Sequence, residues 1–263
     1  MLKLIDGNNQ LKRLFHAMGP GALETLFMEA LTPPQGTRLI WVWDGKNANA
    51  RRREQFPGYK RSDGHVADDF YHVTDLFKEV LTHSAAIQIE VEGYEADDVI
   101  ATLAQGTEDQ VVIQSTDQDY YQIESSRIRV LSEKERKMPA EDIRLFKTMV
   151  GDKSDCIPGM TRFGETAFKK LLPSERQVLK SYFRGNTDHT AEEVAQFLEL
   201  KGKALENWLA EQDQLKTFWS IIGFYEVPLD LMSGAMKPGT PNLQAGTALL
   251  HKYMLTMPVP EVV

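Results

Sequence analysis

Four apolar segments, LKLI, RLIWVW, IQIEV and VVIQ, are each followed within a few residues by carboxylates. The acids are Asp6, then Asp44, then Glu95, Asp97 and Asp98, then Asp117 and Asp119. A further cluster, Asp152 and Asp155, comes later in the chain. The segments are rich in residues that pack into a sheet. Carboxylates gathered at strand ends repel one another unless something cationic sits among them. One acid after a strand is ordinary; four in succession imply a metal-filled cleft.

Strands are expected at 2–5, 38–43, 87–91, 111–114 and 127–131. Between them Phe70, Val73, Phe77, Val80 and Leu81 recur at helical spacing, as do Ala96, Val99, Ile100 and Leu103. Strands alternating with helices imply an α/β fold, with right-handed crossovers and a mostly parallel sheet flanked by helices. Ligands in such sheets bind beyond the carboxyl ends of the strands, where the acids lie.

After about residue 139 the texture becomes helical and continues so to about residue 225. Within it, GDKSDCIPGMTRFGETAFKKLL holds a polar turn, a proline, further glycines and then an amphipathic helix. Glycines in such a layout let backbone amides approach an anion closely. The stretch 226–263 carries five prolines and weak periodicity, so an irregular tail is expected. The implied organisation is an α/β domain over 1–140, a helical region over 141–225 and the tail.

The chain is 42% hydrophobic and 26% charged over 263 residues, the balance of an ordinary soluble protein. Its single cysteine, Cys156, rules out an internal disulfide framework and fits a reducing compartment. There is no apolar run long enough to cross a membrane, and MLKLIDGNN turns polar too early for a secretory signal. A cytoplasmic protein is expected. The net charge of −8 argues at face value against nucleic acid, yet removing the nine clustered acids leaves +1. Charge distribution therefore decides, and the densest basic stretch is RRREQFPGYKR, 51–61, where cations alternate with Phe56 and Tyr59. By itself, such a run reads as a solvated charged face.

VWDGKNANARRREQFPGYK, GYEADDVIATLA, QSTDQDYYQI and GDKSDCIPGMTRFG, with the opening LIDGNN, resemble successive motifs of the 5′-nuclease superfamily. That family includes phage flap endonucleases, 5′→3′ exonucleases and the 5′-nuclease domain of bacterial DNA polymerase I. The likeness covers roughly residues 1–175, with the motifs in family order. It implies a PIN-like domain followed by a helix–three-turn–helix, in a protein of a bacterial or phage-infected cell. The implied activity is metal-dependent 5′→3′ exonuclease or flap endonuclease action near DNA 5′ ends.

Two hard cations about 4 Å apart would supply an activated water and charge stabilisation. Mg²⁺ is implied, with Mn²⁺ as a substitute, because the motifs offer carboxylates and no histidine. By the family pattern Asp6, Asp44, Glu95 and Asp97 hold one ion, and Asp117, Asp119 and Asp152 the second. Asp98 and Asp155 are neighbouring acids. Arg52, Tyr59, Lys60, Arg61, Lys153, Arg162, Lys169 and Lys170 are implied DNA contacts, Tyr59 by stacking on a base. Lys60 would meet the scissile phosphate and join Asp44 and Asp97 in catalysis. A monovalent ion, K⁺, is implied at the helix–three-turn–helix. The expected partners are DNA with free 5′ ends or flaps, and RNA–DNA hybrid, bound by a monomer.

Singly, each acid also fits a plainer role. Asp6 and Asp44 precede glycine, as in a turn, and the acids at 95–98 suit a helix N-terminus. Asp117, Asp119, Asp152 and Asp155 suit caps, and Tyr59 could simply pack. The sequence also departs from the family: Asp63 stands where an arginine is usual, and the arch segment 62–84 holds Asp68, Asp69 and Asp75. A PIN-fold ribonuclease and a non-catalytic DNA-end binder are the alternative readings.

Overall fold

The computed structural model describes residues 1–61, 68–132 and 138–256. The elements run β1 (Leu2–Asp6), α1 (Gly7–Met18), α2 (Gly21–Leu31), β2 (Arg38–Trp43), α3 (Ala50–Gln55), α4 (Asp68–Leu81), β3 (Ile87–Glu90), α5 (Ala96–Gln105), β4 (Val111–Gln114) and β5 (Ile128–Leu131). The helices α6 (Ile143–Val150), α7 (Glu165–Lys170), α8 (Pro173–Arg184), α9 (Ala191–Phe197) and α10 (Gly202–Ile222) follow. Next come α11 (Leu229–Ala235), β6 (Met236–Pro238) and α12 (Leu243–Thr256). Two compact units emerge. One comprises Met1–Ala48, Gly64–Glu135 and Tyr225–Val263; the other comprises Asn49–Asp63 and Arg136–Phe224.

The first unit is a sheet in the order β5-β4-β1-β2-β3-β6, parallel except for β6, which pairs antiparallel with β3. Alternation along β2 sends Leu39, Trp41 and Trp43 to one face and Ile40 and Val42 to the other, all buried. The first face packs with Leu11, Leu23, Phe27, Val73, Phe77 and Leu250 into one core, so α1, α2, α4 and α12 cover it. On the opposite face α5 lies against β1 and β2. Among the described residues no helix is long and apolar enough to cross a membrane.

The expected irregular tail is corrected by this arrangement. Residues 229–256 form α11, the edge strand β6 and α12. Two of the prolines that suggested irregularity sit at boundaries: Pro228 precedes the first turn of α11, and Pro238 ends an edge strand facing solvent. Leu250 is buried in the core, a long-range gain invisible to local periodicity.

The second unit is helical and centres on Trp208, Leu215, Phe218, Leu145, Met149, Phe168 and Leu179. The 21-residue α10 packs against α3, α6, α8 and α9. Buried Asp142 receives Lys180 Nζ at 2.6 Å and Arg176 Nη1 at 2.7 Å, so its charge is compensated on both oxygens.

Candidate active site

Asp6 ends β1 and begins α1. Its Oδ1 accepts the Asn9 N–H at 3.1 Å, capping the helix. Its Oδ2 accepts the Ser115 hydroxyl at 3.0 Å and the buried Tyr120 hydroxyl at 3.1 Å. Asn9 Oδ1 in turn accepts the Thr116 N–H and hydroxyl at 3.0 and 3.1 Å, so α1's first turn ties the ends of β1 and β4 together. The residue after Asp6 must be glycine: a Cβ on Gly7 would lie 2.5 Å from the Trp43 ring.

Asp44 follows β2. Its Oδ1 accepts the Ala96 N–H at 2.8 Å at the head of α5, and its Oδ2 accepts Asn8 Nδ2 at 2.6 Å. A tertiary carboxylate thus caps α5. A Cβ on Gly45 would meet the Val91 carbonyl at 1.8 Å, so glycine is what allows the loop after β2 to reach Glu95. Glu95, Asp97 and Asp98 each offer an oxygen, all within 4.8 Å of one another, a spacing one cation can bridge. Asp98 is fully buried and its Oδ1 accepts the Tyr225 N–H at 2.8 Å, fastening the start of the C-terminal segment.

Beyond β4, Asp117 Oδ1 accepts the Asp119 N–H at 2.9 Å and opens a 3₁₀ turn, Gln118–Ile123. Ser115 Oγ accepts the Asp117 N–H at 3.1 Å while donating to Asp6. The capping and ligand roles of these acids are not exclusive, because a carboxylate carries about four lone-pair positions.

The electrostatic consequence is concentrated at Asp6. Burial, then the Asp44 charge, raise its carboxyl from 3.8 to about 7, with Asp117 adding and the Asn9 and Ser115 hydrogen bonds opposing. Burial, then Asp6, Asp97 and Asp117, hold the Tyr120 phenol well above 10, so it remains a donor. A carboxyl whose ionisation is opposed by burial and by neighbouring acids is what a divalent cation would relieve. The donors are all oxygens, so the residues fit a hard ion such as Mg²⁺ or Mn²⁺.

In the second unit, α6 leads into a turn whose backbone folds upon itself. Gly151 has φ +99° and Gly159 φ +71°, and a Cβ on Gly159 would lie 2.4 Å from the Gly151 nitrogen. Asp152 and Ile157 exchange backbone hydrogen bonds at 2.8 Å. Asp152 is paired with Lys147 at 2.7 Å and accepts the Ser154 N–H at 2.9 Å. Burial would raise its carboxyl, but the Lys147 ammonium and the Ser154 bonds outweigh burial and lower it.

Lys60 has φ +46°, donates its N–H to the Asp155 carbonyl at 2.9 Å and places Nζ 3.9 Å from Asp155 Oδ1. Its ammonium lies 5.2 Å from the Tyr59 ring centre. The left-handed conformation costs about 1–2 kcal/mol in a residue with a Cβ, so the surroundings must enforce it.

Two expected DNA contacts are corrected. Arg52 is 2% exposed; its Nε and Nη2 donate to the carbonyls of Ile221 at 2.9 Å and Gly223 at 3.2 Å, at the end of α10. That is a cation on a helix C-terminus, spent inside the protein. Tyr59 is likewise 2% exposed and belongs to the helical core, so it offers no face to a base. Arg61, Lys153, Arg162, Lys169 and Lys170 are exposed, as backbone contacts require. Lys169 pairs with Glu165 at 2.7 Å, an exposed pair that is cheap to exchange for phosphate. Asp63 lies outside the described residues, as do the side chains of Asp68 and Asp69.

Sequence reasoning missed Asn8, Ser115, Tyr120 and Lys147. The paired asparagines of LIDGNN were a visible signal, since polar side chains opening a helix face the strand ends. Tyr120 carried none, because a tyrosine in QDYYQI reads as core.

A mostly parallel sheet carries carboxylates at successive strand ends, and those at 95–98 lie close enough together to hold a metal ion. The chain belongs to the 5′–3′ exonuclease family, whose N-terminal resolvase-like domain matches residues 1–149. It is similar to DNA polymerase I of Thermus aquaticus, 32% identical, over 96% of this chain and 33% of that protein. The polymerase of Thermus filiformis is 27% identical over 95% and 32%. The chain thus spans about one third of the length of these relatives. Among solved structures, T5 5′-exonuclease with bound divalent metal ions superposes with a TM-score of 0.56, 18% identical over 97% of both chains. The catalytic core of Rad2 in complex with DNA substrate gives 0.54, at 14% identity over 98% of this chain and 87% of that one. At such identities the superpositions show a shared fold alone.

Proposed function

We propose that the chain is a metal-dependent 5′-nuclease that hydrolyses phosphodiester bonds near DNA 5′ ends, by exonucleolytic or flap cutting. The observation that carries this reading is the linked set of carboxylates at the ends of β1, β2 and β4, with Asp6 raised to about 7 by burial and then by its acidic neighbours. Asp6, Asp44, Glu95 and Asp97 would hold one Mg²⁺, with Asp98 beside them, and Asp117 and Asp119 a second. Asp152 and Asp155 carry the same expectation by resemblance. Bound there, two ions supply an activated water and neutralise charge on the attacking and leaving oxygens.

The chain's own residues prepare that chemistry. Ser115 and Tyr120 orient Asp6; Asn8 and the head of α5 orient Asp44. Lys60 contributes an ammonium toward charge developing on the phosphate. The turn between α6 and α7 serves as the helix–three-turn–helix, gripping duplex phosphate through its amides, with K⁺ at its carbonyls. Lys153, Arg162, Arg61, Lys169 and Lys170 add sequence-independent attraction. The reading includes a monomer working in the cytoplasm.

The test compares 5′-labelled blunt, nicked and flap DNA, and an RNA–DNA hybrid, with Mg²⁺, Mn²⁺ or chelator. Metal-dependent release of short 5′ products is expected. Intact substrate in every metal would overturn the reading.

A further inference from the structure

Lys60 holds a backbone conformation that glycine would adopt without strain. Both peptide planes flanking its Cα are fixed by hydrogen bonds. Arg53 Nε donates to the Tyr59 carbonyl at 3.1 Å, and Arg53 Nη2 donates to the Lys60 carbonyl at 3.2 Å. On the other side of each plane, the Lys60 N–H donates to Asp155 O at 2.9 Å and the Arg61 N–H to Gly58 O at 3.2 Å. With both planes fixed, the direction of the Lys60 Cα–Cβ bond is fixed too. The guanidinium of Arg53 supplies two of those four bonds from a single planar group.

The platform beneath is rigid. Arg53 sits on α3, whose neighbouring Arg52 is bonded to the carbonyls ending α10. Phe56, just past α3, meets Phe218 of α10 edge-on at 5.1 Å between ring centres. Arg144 of α6 also reaches α10's last turns, through the Trp219 carbonyl at 2.8 Å.

We propose that Arg53 is a positioning residue for Lys60: by bridging the carbonyls of Tyr59 and Lys60 it aims the Lys60 ammonium at the reacting phosphate, without itself gripping DNA. The inference rests on the nuclease reading above. The competing account makes Arg53 an exposed cation that contacts the DNA backbone like its neighbours in RRREQFPGYKR.

A double-mutant cycle separates the two. Arg53→Ala is expected to lower the single-turnover cleavage rate by roughly ten- to hundredfold through misplacement. Duplex affinity measured in Ca²⁺ should move by only a few fold, with an unchanged salt slope. In a Lys60→Ala background the same substitution should cost nothing further, and Arg53→Lys should recover part of the loss. The Lys60 amide, followed by NMR hydrogen exchange, should exchange faster in Arg53→Ala. A cost that persists in the Lys60→Ala background, a loss confined to affinity and salt slope, or unchanged Lys60 exchange would each overturn the assignment. Wild-type protein that cuts no 5′-labelled DNA would instead remove the nuclease reading, a result distinct from additivity in an active enzyme.

Discussion

The buried hydroxyl of Tyr120 donates to Asp6 Oδ2 at 3.1 Å, so a phenol that never meets solvent orients a carboxylate at the end of β1. Tyr120→Phe removes that donor and keeps the ring. Groups that orient a metal ligand from behind are commonly worth ten- to hundredfold in metal affinity. A loss of about that size is expected in Mg²⁺ titrated by calorimetry, with the fold retained by circular dichroism. Unaltered affinity would show that Ser115 and the Asn9 amide suffice to hold Asp6.

Asp6 also predicts how stability varies with pH when divalent metal is chelated. Its carboxyl rises from 3.8 to about 7 on folding. Folded protein therefore binds the proton more tightly than unfolded chain, and stability is lost as pH climbs through that interval. Below it both states are protonated and nothing is lost; above it the whole penalty is present, at most about 4 kcal/mol. Asp6→Asn keeps an N-cap acceptor and removes the charge. With chelator it should melt higher than wild type at pH 8, match it near pH 4, and be inactive. Equal melting temperatures at pH 8 would contradict the burial and repulsion assigned to Asp6.

The strands of the sheet were legible because LKLI, RLIWVW and VVIQ are short, β-rich and followed by polar punctuation. The position of the acids at their ends was legible because four apolar segments in succession break off in charge that a core would not tolerate. The roles of Arg52 and Tyr59 were not. Both sit in a basic, aromatic stretch whose composition suits nucleic acid, and only the return of α10 to α3 buries them. The edge strand β6 was hidden for a similar reason: three residues containing a proline have no periodicity, and their partner β3 lies far back in sequence.

Arg52→Ala should therefore behave as a core substitution. It leaves the carbonyls of Ile221 and Gly223 without their donor and opens a cavity, at a cost of about 3 kcal/mol. Chemical denaturation should report that loss, while the salt dependence of duplex binding stays at the wild-type slope. Replacing Lys169 and Lys170 together should do the reverse, flattening the slope because each lost phosphate contact releases fewer counterions. A flattened slope with unchanged stability for Arg52→Ala would return that residue to the DNA interface.

Lys60 is expected to act on the reacting phosphate more than on binding. Its side chain is about one-third exposed, its ammonium loosely paired with Asp155 at 3.9 Å, and it is carried on a turn whose backbone is fixed on both sides. A side chain meant only to add bulk positive charge would not need a left-handed backbone to hold it. Arg53 is no neutral comparison, since it grips the same turn; Arg61 is exposed and is the better control. Lys60→Ala should lower the single-turnover rate by on the order of a hundredfold, or about 2.7 kcal/mol, while Arg61→Ala costs a few fold. Affinity in Ca²⁺ should change little for Lys60→Ala, whereas the few-fold loss of Arg61→Ala should appear there. If both variants lose the same small factor, Lys60 is one cation among several in 51–61, and the barrier is lowered by the carboxylate-held ions alone.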